Sequence, residues 1–301
     1  MLMVLSLTGC ASLNGSLAPT AWEGDRDTLR VVEAGTRSVM TPEKALDVLT
    51  RQRVVYVAEH HGSPAHHLVQ ALVISGLVSR GMRPVVAVEW VEARFQPVLD
   101  AWVHGGLTSQ ALQEKLEWDT RWGHSFEEAS RIFELARVHG LSMVALNAPR
   151  ELVRRVAEVG REGLDEHERE ACPPLTTGSR AHRARLKEAH AHHAHGRAAN
   201  FERFYQAQLV WDESMANGVT QLLDGGADLV VVLAGAGHVE HRFGIPERVP
   251  LPREDSDRIV VPVPRGRMPS FASELGHLTY PARRGDIYWE TPESLARPVS
   301  H

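Results

Sequence analysis

Residues Val54-Val55-Tyr56-Val57-Ala58 form a continuous apolar run that stops at Glu59-His60-His61. A continuous rather than alternating apolar run predicts a strand that is buried on both faces, as in a parallel sheet. Three further runs have this form and also end in polar residues: 84–88 before Glu89, 142–146 before Asn147, and 229–233 before the turn that carries His238. A fifth run, 258–263, predicts another strand.

Helical patterns separate these predicted strands. One helix is predicted from Ser63-Pro64, an N-cap followed by a first-turn proline, to about Ser79. A second is predicted over 125–139, with Gly140 just after its end. The alternation of strands and helices predicts an α/β fold, a parallel sheet flanked by helices.

A mostly helical pattern at about 152–221 is too long for a plain crossover between strands. We interpret it as a smaller helical subdomain that is inserted into an α/β domain spanning 41–265. The remaining C-terminal tail, 266–301, is expected to run over the surface.

The N-terminus contains a short apolar run followed by Leu7-Thr8-Gly9-Cys10, which resembles the lipobox of bacterial lipoproteins. This predicts a lipoprotein signal peptide at 1–9, a lipidated Cys10 and a flexible tether at 10–40. Acyl chains on Cys10 would hold the protein on a membrane of the bacterial cell envelope, at the outer membrane or on the periplasmic face. The alternative is a hydrophobic N-terminus with a chance cysteine.

The composition excludes several classes of protein. The chain has 301 residues, 43% of them hydrophobic, which excludes disorder and a polytopic membrane protein. Its 33 basic and 38 acidic residues give a formal charge of −5, so we expect no nucleic-acid partner. Two cysteines exclude a disulfide scaffold, whereas 17 histidines indicate an imidazole-based site.

The carboxyl ends of parallel strands form one edge of a sheet, where ligand sites lie. All four of the best predicted strands end near a residue that can do chemistry, and together these form a predicted catalytic or site-lining set: Glu59, His61, Glu89, Asn147 and His238. A carboxylate two residues from an imidazole can orient it as a base. The alternative for each residue is a strand cap or a turn former.

Other histidines are candidates for binding haem or a metal. His66 and His67 fall in the first turn of a predicted helix, and their alternative is a capping or surface role. A second cluster lies in the helical insertion, and it comprises His182, His190, His192, His193 and His195. Such a tract either binds Zn, Ni, Cu or haem iron, or is a solvated alanine-rich helix.

A third group of candidates lies further along the insertion. Tyr205, Gln208 and Asp212 fall about one helical turn apart, so they share a face. Tyr205 and Asp212 are therefore candidates to reach the site or to ligate a cofactor. Most of the apolar residues around them form a stripe that is typical of a buried helix face.

Five stretches carry a family resemblance: Val54–His67, Val85–Glu89, Ala145–Arg150, Gln208–Ala216 and Leu233–Val239. In order and spacing, over about residues 45–265, they resemble the ChaN-like haem-binding lipoproteins, within the wider group of erythromycin-esterase-like and TraB/Tiki-like proteins. The resemblance implies haem binding with Tyr and His ligands, and a homodimer that shares two stacked haems. The His-rich tract is particular to this sequence.

Two functions follow from these observations. The first is a haem-binding envelope lipoprotein that takes part in the uptake or handling of iron or haem. The second is a hydrolase, with or without a divalent metal, in which His61 is the general base and Glu59 orients it. In that case Glu89 and His238 would bind metal or stabilise developing charge.

Overall fold

A computed structural model describes residues 29–193, 200–252, 256–267 and 284–292, except for the side chains of His192 and His193. It shows an α/β fold built on one mixed sheet of eight strands. The strands are β1 (Val31–Glu33), β2 (Ser38–Met40), β3 (Val54–Glu59), β4 (Val85–Glu92), β5 (Met143–Asn147), β6 (Val230–Gly235), β7 (Asp257–Pro264) and β8 (Ile287–Thr291). Their order across the sheet is β2-β1-β8-β7-β3-β6-β4-β5.

Helices cover both faces of this sheet. In the described residues they are α1 (Pro42–Leu49), α2 (Pro64–Val78), α3 (Gln96–Val103), α4 (Ser109–Lys115), α5 (Trp118–Arg121), α6 (Phe126–Val138), α7 (Arg150–Val159), α8 (Glu166–Ala171), α9 (Arg180–His193) and α10 (Phe201–Asp224). Helices α2 and α6 confirm the two helices that the sequence predicts.

The central strand shows why the apolar runs are continuous. Val55 and Val57 of β3 face a core formed with α1, α2 and α6, whereas Tyr56 faces the opposite core, which Met215 of α10 joins. Because successive side chains point to opposite faces, a strand covered on both sides needs apolar residues at every position. The five predicted strands are therefore all present and parallel to their sheet neighbours.

The edge of the sheet differs from the fully parallel sheet expected. Strand β8 is parallel to β7, but β1 is antiparallel to β8 and β2 is antiparallel to β1. Hence 31–40 is not part of the tether, and Ile287–Thr291 is a buried strand rather than a surface tail. Strands β1 and β2 have only three residues each, which is too short to show a periodicity in the sequence.

The helical insertion is also more closely joined to the sheet than expected. The first half of α10 packs against α7 and α9, whereas Met215, Ala216 and Val219 in its second half pack against the sheet. Among the described residues, no helix is both long and apolar enough to cross a membrane. Cys10, the predicted signal peptide at 1–9, residues 10–28 of the predicted tether and most of the tail lie outside the described residues.

Candidate functional site

A cleft of about 350 Å³ opens at the carboxyl ends of the parallel strands. Strand β6 lies between β3 and β4, and Glu59 at the end of β3 is level with Gly235 at the end of β6. The structure thus brings together the five residues of the predicted set. His61, Glu89, Asn147 and His238 line the cleft, and Glu59 lies directly behind His61.

Glu59 is a buried carboxylate with a full set of donors. Nδ1 of His61 donates to its Oε1 at 2.6 Å, and Nε1 of Trp90 donates to the same oxygen at 2.9 Å. Nε2 of Gln70 donates to Oε2 at 2.8 Å, and Nε2 of His67 lies 3.2 Å from that oxygen. Burial raises the pKa of Glu59, but the hydrogen bonds from His61 and His67 outweigh it and hold this pKa well below its usual range.

Glu89 lies between the two cleft histidines. Its Oε1 is 3.9 Å from Nε2 of His61 and 3.5 Å from Nε2 of His238, and its Oε2 accepts from the backbone N–H of Gly235 at 2.5 Å. A Cβ on Gly235 would lie 3.0 Å from Nε2 of His61 and 3.3 Å from Oε2 of Glu89, so any larger residue here requires one of these side chains to shift. Burial lowers the pKa of His61, but Glu59 and Glu89 together raise it above its ordinary value.

Asp212 of α10 holds His238 from behind. Nδ1 of His238 donates to Oδ1 of Asp212 at 2.7 Å, so Nε2 is directed at Glu89. Burial lowers the pKa of His238, but the charge of Glu89 and the hydrogen bond to Asp212 outweigh it and raise this pKa to about 9. Asp212 thus contacts the cleft residue His238 but does not itself line the cleft.

The network continues behind Asp212 into the helical insertion. His182 of α9 is 1% exposed, its Nδ1 lies 2.5 Å from Oε1 of Glu247, and its Nε2 lies 3.8 Å from Oδ2 of Asp212. Its ring stacks on Phe243. Alternating carboxylates and imidazoles thus run from Glu59 to Glu247. His182 is part of this network, but it does not line the cleft.

The remaining candidates lie away from the cleft. His66 is buried and its Nδ1 accepts from the N–H of His60; burial and the charge of His60 lower its pKa to about 4. Tyr205 is 2% exposed, and its hydroxyl accepts from the N–H of Gly178. The ring of His190 contacts Phe204 at 5.0 Å between centroids. The side chain of His193 lies outside the described residues, as does His195.

The cleft also contains residues that the sequence patterns did not single out. Aromatic side chains form much of its walls: Trp90, Phe95, Trp122 and Trp211. Arg121, Arg150 and a third imidazole, His124, also line it. Most of these residues come from the segment after β4 or from helices, where no strand end marks them. Only the pairing of aromatic residues with histidine in Trp122-Gly123-His124 offered a signal.

The residues present are suited to haem more than to a bare metal ion. No group of three or more His, Cys, Asp or Glu side chains that could hold a metal ion occurs within the described residues. Aromatic walls and imidazoles, in contrast, match a planar apolar macrocycle with an axial nitrogen ligand. The buried Oδ1 of Asn147 has no hydrogen-bond partner among the described residues, so the cleft still contains an unused acceptor.

Comparisons with solved structures show what this chain is similar to. ChaN of Campylobacter jejuni with cofacially bound haem is similar in structure, at a TM-score of 0.65 and 16% identity over 87% of this chain and 96% of that chain. An erythromycin esterase mutant in its open conformation gives a TM-score of 0.48 at 13% identity, over 79% and 77% of the two chains. A search of curated proteins gives no match.

The match to ChaN from Campylobacter jejuni shows the fold, whereas a family model extends the likeness to the sequence. The model described as haem-binding uptake, Tiki superfamily, ChaN matches residues 45–249, more than half of the chain and all five residues of the predicted site. The chain therefore belongs to this ChaN family of the Tiki superfamily.

Proposed function

We propose that this protein binds haem in the cleft at the carboxyl edge of its sheet. The observation that carries the proposal is the lining of the cleft, where indole rings and three imidazoles face one space. Bound haem would supply a redox-active iron with open axial positions. The protein's own side chains would stack on the macrocycle, offer an axial nitrogen and keep water from one face.

The charged residues at the cleft fit the other end of such a ligand. Haem carries two carboxylates, and an arginine recognises a carboxylate through its planar set of donors. Arg121 is already bound to Glu92, Glu117 and Glu151. Arg150 lines the cleft and its Nη1 donates to a backbone carbonyl, that of Thr120, so it is the arginine we assign to a haem carboxylate.

A haemin titration tests this function. We expect a shifted Soret band and quenching of tryptophan fluorescence, because Trp90, Trp122 and Trp211 line the cleft. His104→Ala is a matched control, since this exposed histidine lies at the end of α3, away from the cleft. A spectrum identical to free haemin at saturating protein would contradict the proposal.

We further propose that the protein handles haem or iron at the bacterial cell envelope, anchored through lipid on Cys10. The lipobox-like Leu7-Thr8-Gly9-Cys10 supports this, and so does membership of a haem-uptake family. Palmitate labelling that disappears in Cys10→Ala is the expected result, and unchanged labelling would contradict it. We also propose that the protein forms a homodimer that shares haems. Light scattering with and without haemin tests this proposal.

Hydrolysis is the second candidate function, and one observation favours it specifically. Glu59 orients His61 through a 2.6 Å contact, which haem binding alone does not require. With Nδ1 held by Glu59, Nε2 of His61 is the nitrogen that would take a proton from water. Protonated His238 would then stabilise the negative charge that develops on the attacked carbonyl oxygen.

Ester and peptide panels test this second candidate. We expect activity in the wild-type protein that His61→Ala and Glu89→Ala abolish, while His104→Ala leaves it unchanged. Because this proposed activity depends on the contact between Glu59 and His61, Glu59→Gln should lower turnover more than substrate affinity. Inactivity of the wild-type protein with and without common divalent metals would contradict it.

A further inference from the structure

His67 is a buried histidine to which neither proposed function assigns a task. It lies in the first turn of α2. Its Nε2 is 3.2 Å from Oε2 of Glu59, whereas Oε1 of the same carboxylate accepts from Nδ1 of His61 at 2.6 Å. One carboxylate therefore joins two imidazoles, that of His61 at the cleft and that of His67 on the side of the core.

The ring of His67 is held in this orientation from several sides. Its edge packs against the ring of Trp90, at 5.3 Å between centroids. Its Nδ1 is buried and has no hydrogen-bond partner among the described residues, but it faces Oε2 of Glu128 at 3.9 Å. A carboxylate near each ring nitrogen favours the orientation in which Nε2 is directed at Glu59.

A donor at Oε2 matters because a carboxyl group turns easily. The terminal torsion of a glutamate side chain is broad, so donors rather than the torsion itself fix its two oxygens. Trp90 and His61 donate to Oε1 of Glu59, while Gln70 donates to Oε2 beside His67. Without His67, Oε2 would keep a single donor within the described residues, and the carboxylate could tilt away from His61.

The second cleft imidazole is built in the same order but with different spacing. Asp212 lies behind His238, and the buried His182 lies behind Asp212. The short contact of His182 is with Glu247, at 2.5 Å, whereas its Nε2 is 3.8 Å from Asp212, which is too far for a hydrogen bond. His67 thus contacts the carboxylate that orients a cleft imidazole more closely than His182 does.

We propose that His67 is a positioning residue for His61, on which it acts through Glu59. This inference rests on the second proposed function, hydrolysis, and adds a residue that sets the direction of the base. His67 does not line the cleft, so it does not touch a substrate there. Its contact at Oε2 keeps Oε1 of Glu59 directed at Nδ1 of His61, and Nε2 of His61 is then the nitrogen that is available to water.

Proton NMR of the full chain with isotope-labelled histidine tests this role. An Nδ1–H that donates to a carboxylate over a short distance resonates far downfield, and two such signals are expected, from His61 and from His238. His67→Phe keeps a ring beside Trp90 but has no donor. In this variant the His61 signal should shift upfield and exchange faster with water. His67→Gln should restore the signal, because its amide nitrogen can donate to Glu59.

The His238 signal is an internal control for the fold, because Asp212 rather than Glu59 accepts from this ring. It should stay in place in both variants of His67. As a matched control at another buried histidine, His182→Phe should leave the His61 signal unchanged. An unchanged His61 signal in His67→Phe would overturn the proposal. Loss of both signals would also overturn it, because it would show a merely structural role.

Kinetics separate this inference from the function on which it rests. If the wild type hydrolyses an ester or a peptide, His67→Phe should lower kcat about tenfold and leave KM nearly unchanged, and His67→Gln should recover most of the rate. A loss that appears in KM instead would overturn the positioning role. If the wild type is inactive on every substrate, the hydrolytic function is wrong, and the NMR comparison alone decides whether His67 positions His61.

Discussion

Protonated His238 should stabilise the folded protein in a pH-dependent way. Its pKa is about 9 in the folded chain, against an ordinary value of 6.5 that applies when it is unfolded. The difference between these two pKa values corresponds to about 3 kcal/mol in the free energy of unfolding, because one pKa unit corresponds to about 1.4 kcal/mol. Since the folded pKa is the higher one, the contribution is complete below pH 6.5 and is lost as the pH rises through 9.

The His238→Gln variant isolates this contribution. The amide can still donate to Asp212, but it carries no charge between Asp212 and Glu89. In urea, the wild type should have a larger free energy of unfolding than the variant. This difference should be up to about 3 kcal/mol larger at pH 6 than at pH 10. His104→Gln, an exposed control, should show no such difference. Equal destabilisation by His238→Gln at the two pH values would refute the reasoning.

Four further outcomes are expected. Glu59→Gln should lower the free energy of unfolding by about 2–4 kcal/mol in urea, because an amide nitrogen would then face buried donors; an unchanged midpoint would contradict this. Trp118→Ala should lower the free energy of unfolding by about 3–5 kcal/mol, since the indole is 2% exposed in the core. A much smaller loss would show that the cleft side collapses to fill the space. Gly235→Ala should weaken haemin binding, because the new Cβ displaces the ring of His61, and equal affinity would show that the ring yields freely. The rate of any hydrolysis should rise with pH as His61 loses its proton, and it should fall near pH 9 as His238 loses its proton. A rate that does not fall at high pH would show that His238 takes no part in the reaction.

The sequence predicted those site residues that lie at or near the end of an apolar run. Glu59, Glu89 and His238 are close to the ends of strands whose apolar runs are visible in sequence, and parallel strands bring such ends to one edge. His124 was not predicted, because it reaches the cleft from a turn between two helices. No periodicity relates such a turn to the sheet.

The histidine tract shows a second limit of the sequence patterns. His182 and Tyr205 were candidates for ligands because of their residue type and helical spacing. In the structure both are buried and hydrogen-bonded to their surroundings, at Glu247 and Gly178. Spacing along a helix shows which side chains share a face, but not what that face packs against.

Local pattern was sufficient for the central strands, the helices that flank them and the polar residues at the strand ends. These features depend on alternation and hydrophobicity over a few neighbouring residues, which sequence records directly. Tertiary structure alone determined the place of β1 and β8 in the sheet, the chain of carboxylates and imidazoles behind His238, and the position of His124 at the cleft. Each of these depends on contacts between segments far apart in the chain, as between Glu89 and Gly235, and such contacts form only when the whole sheet is assembled.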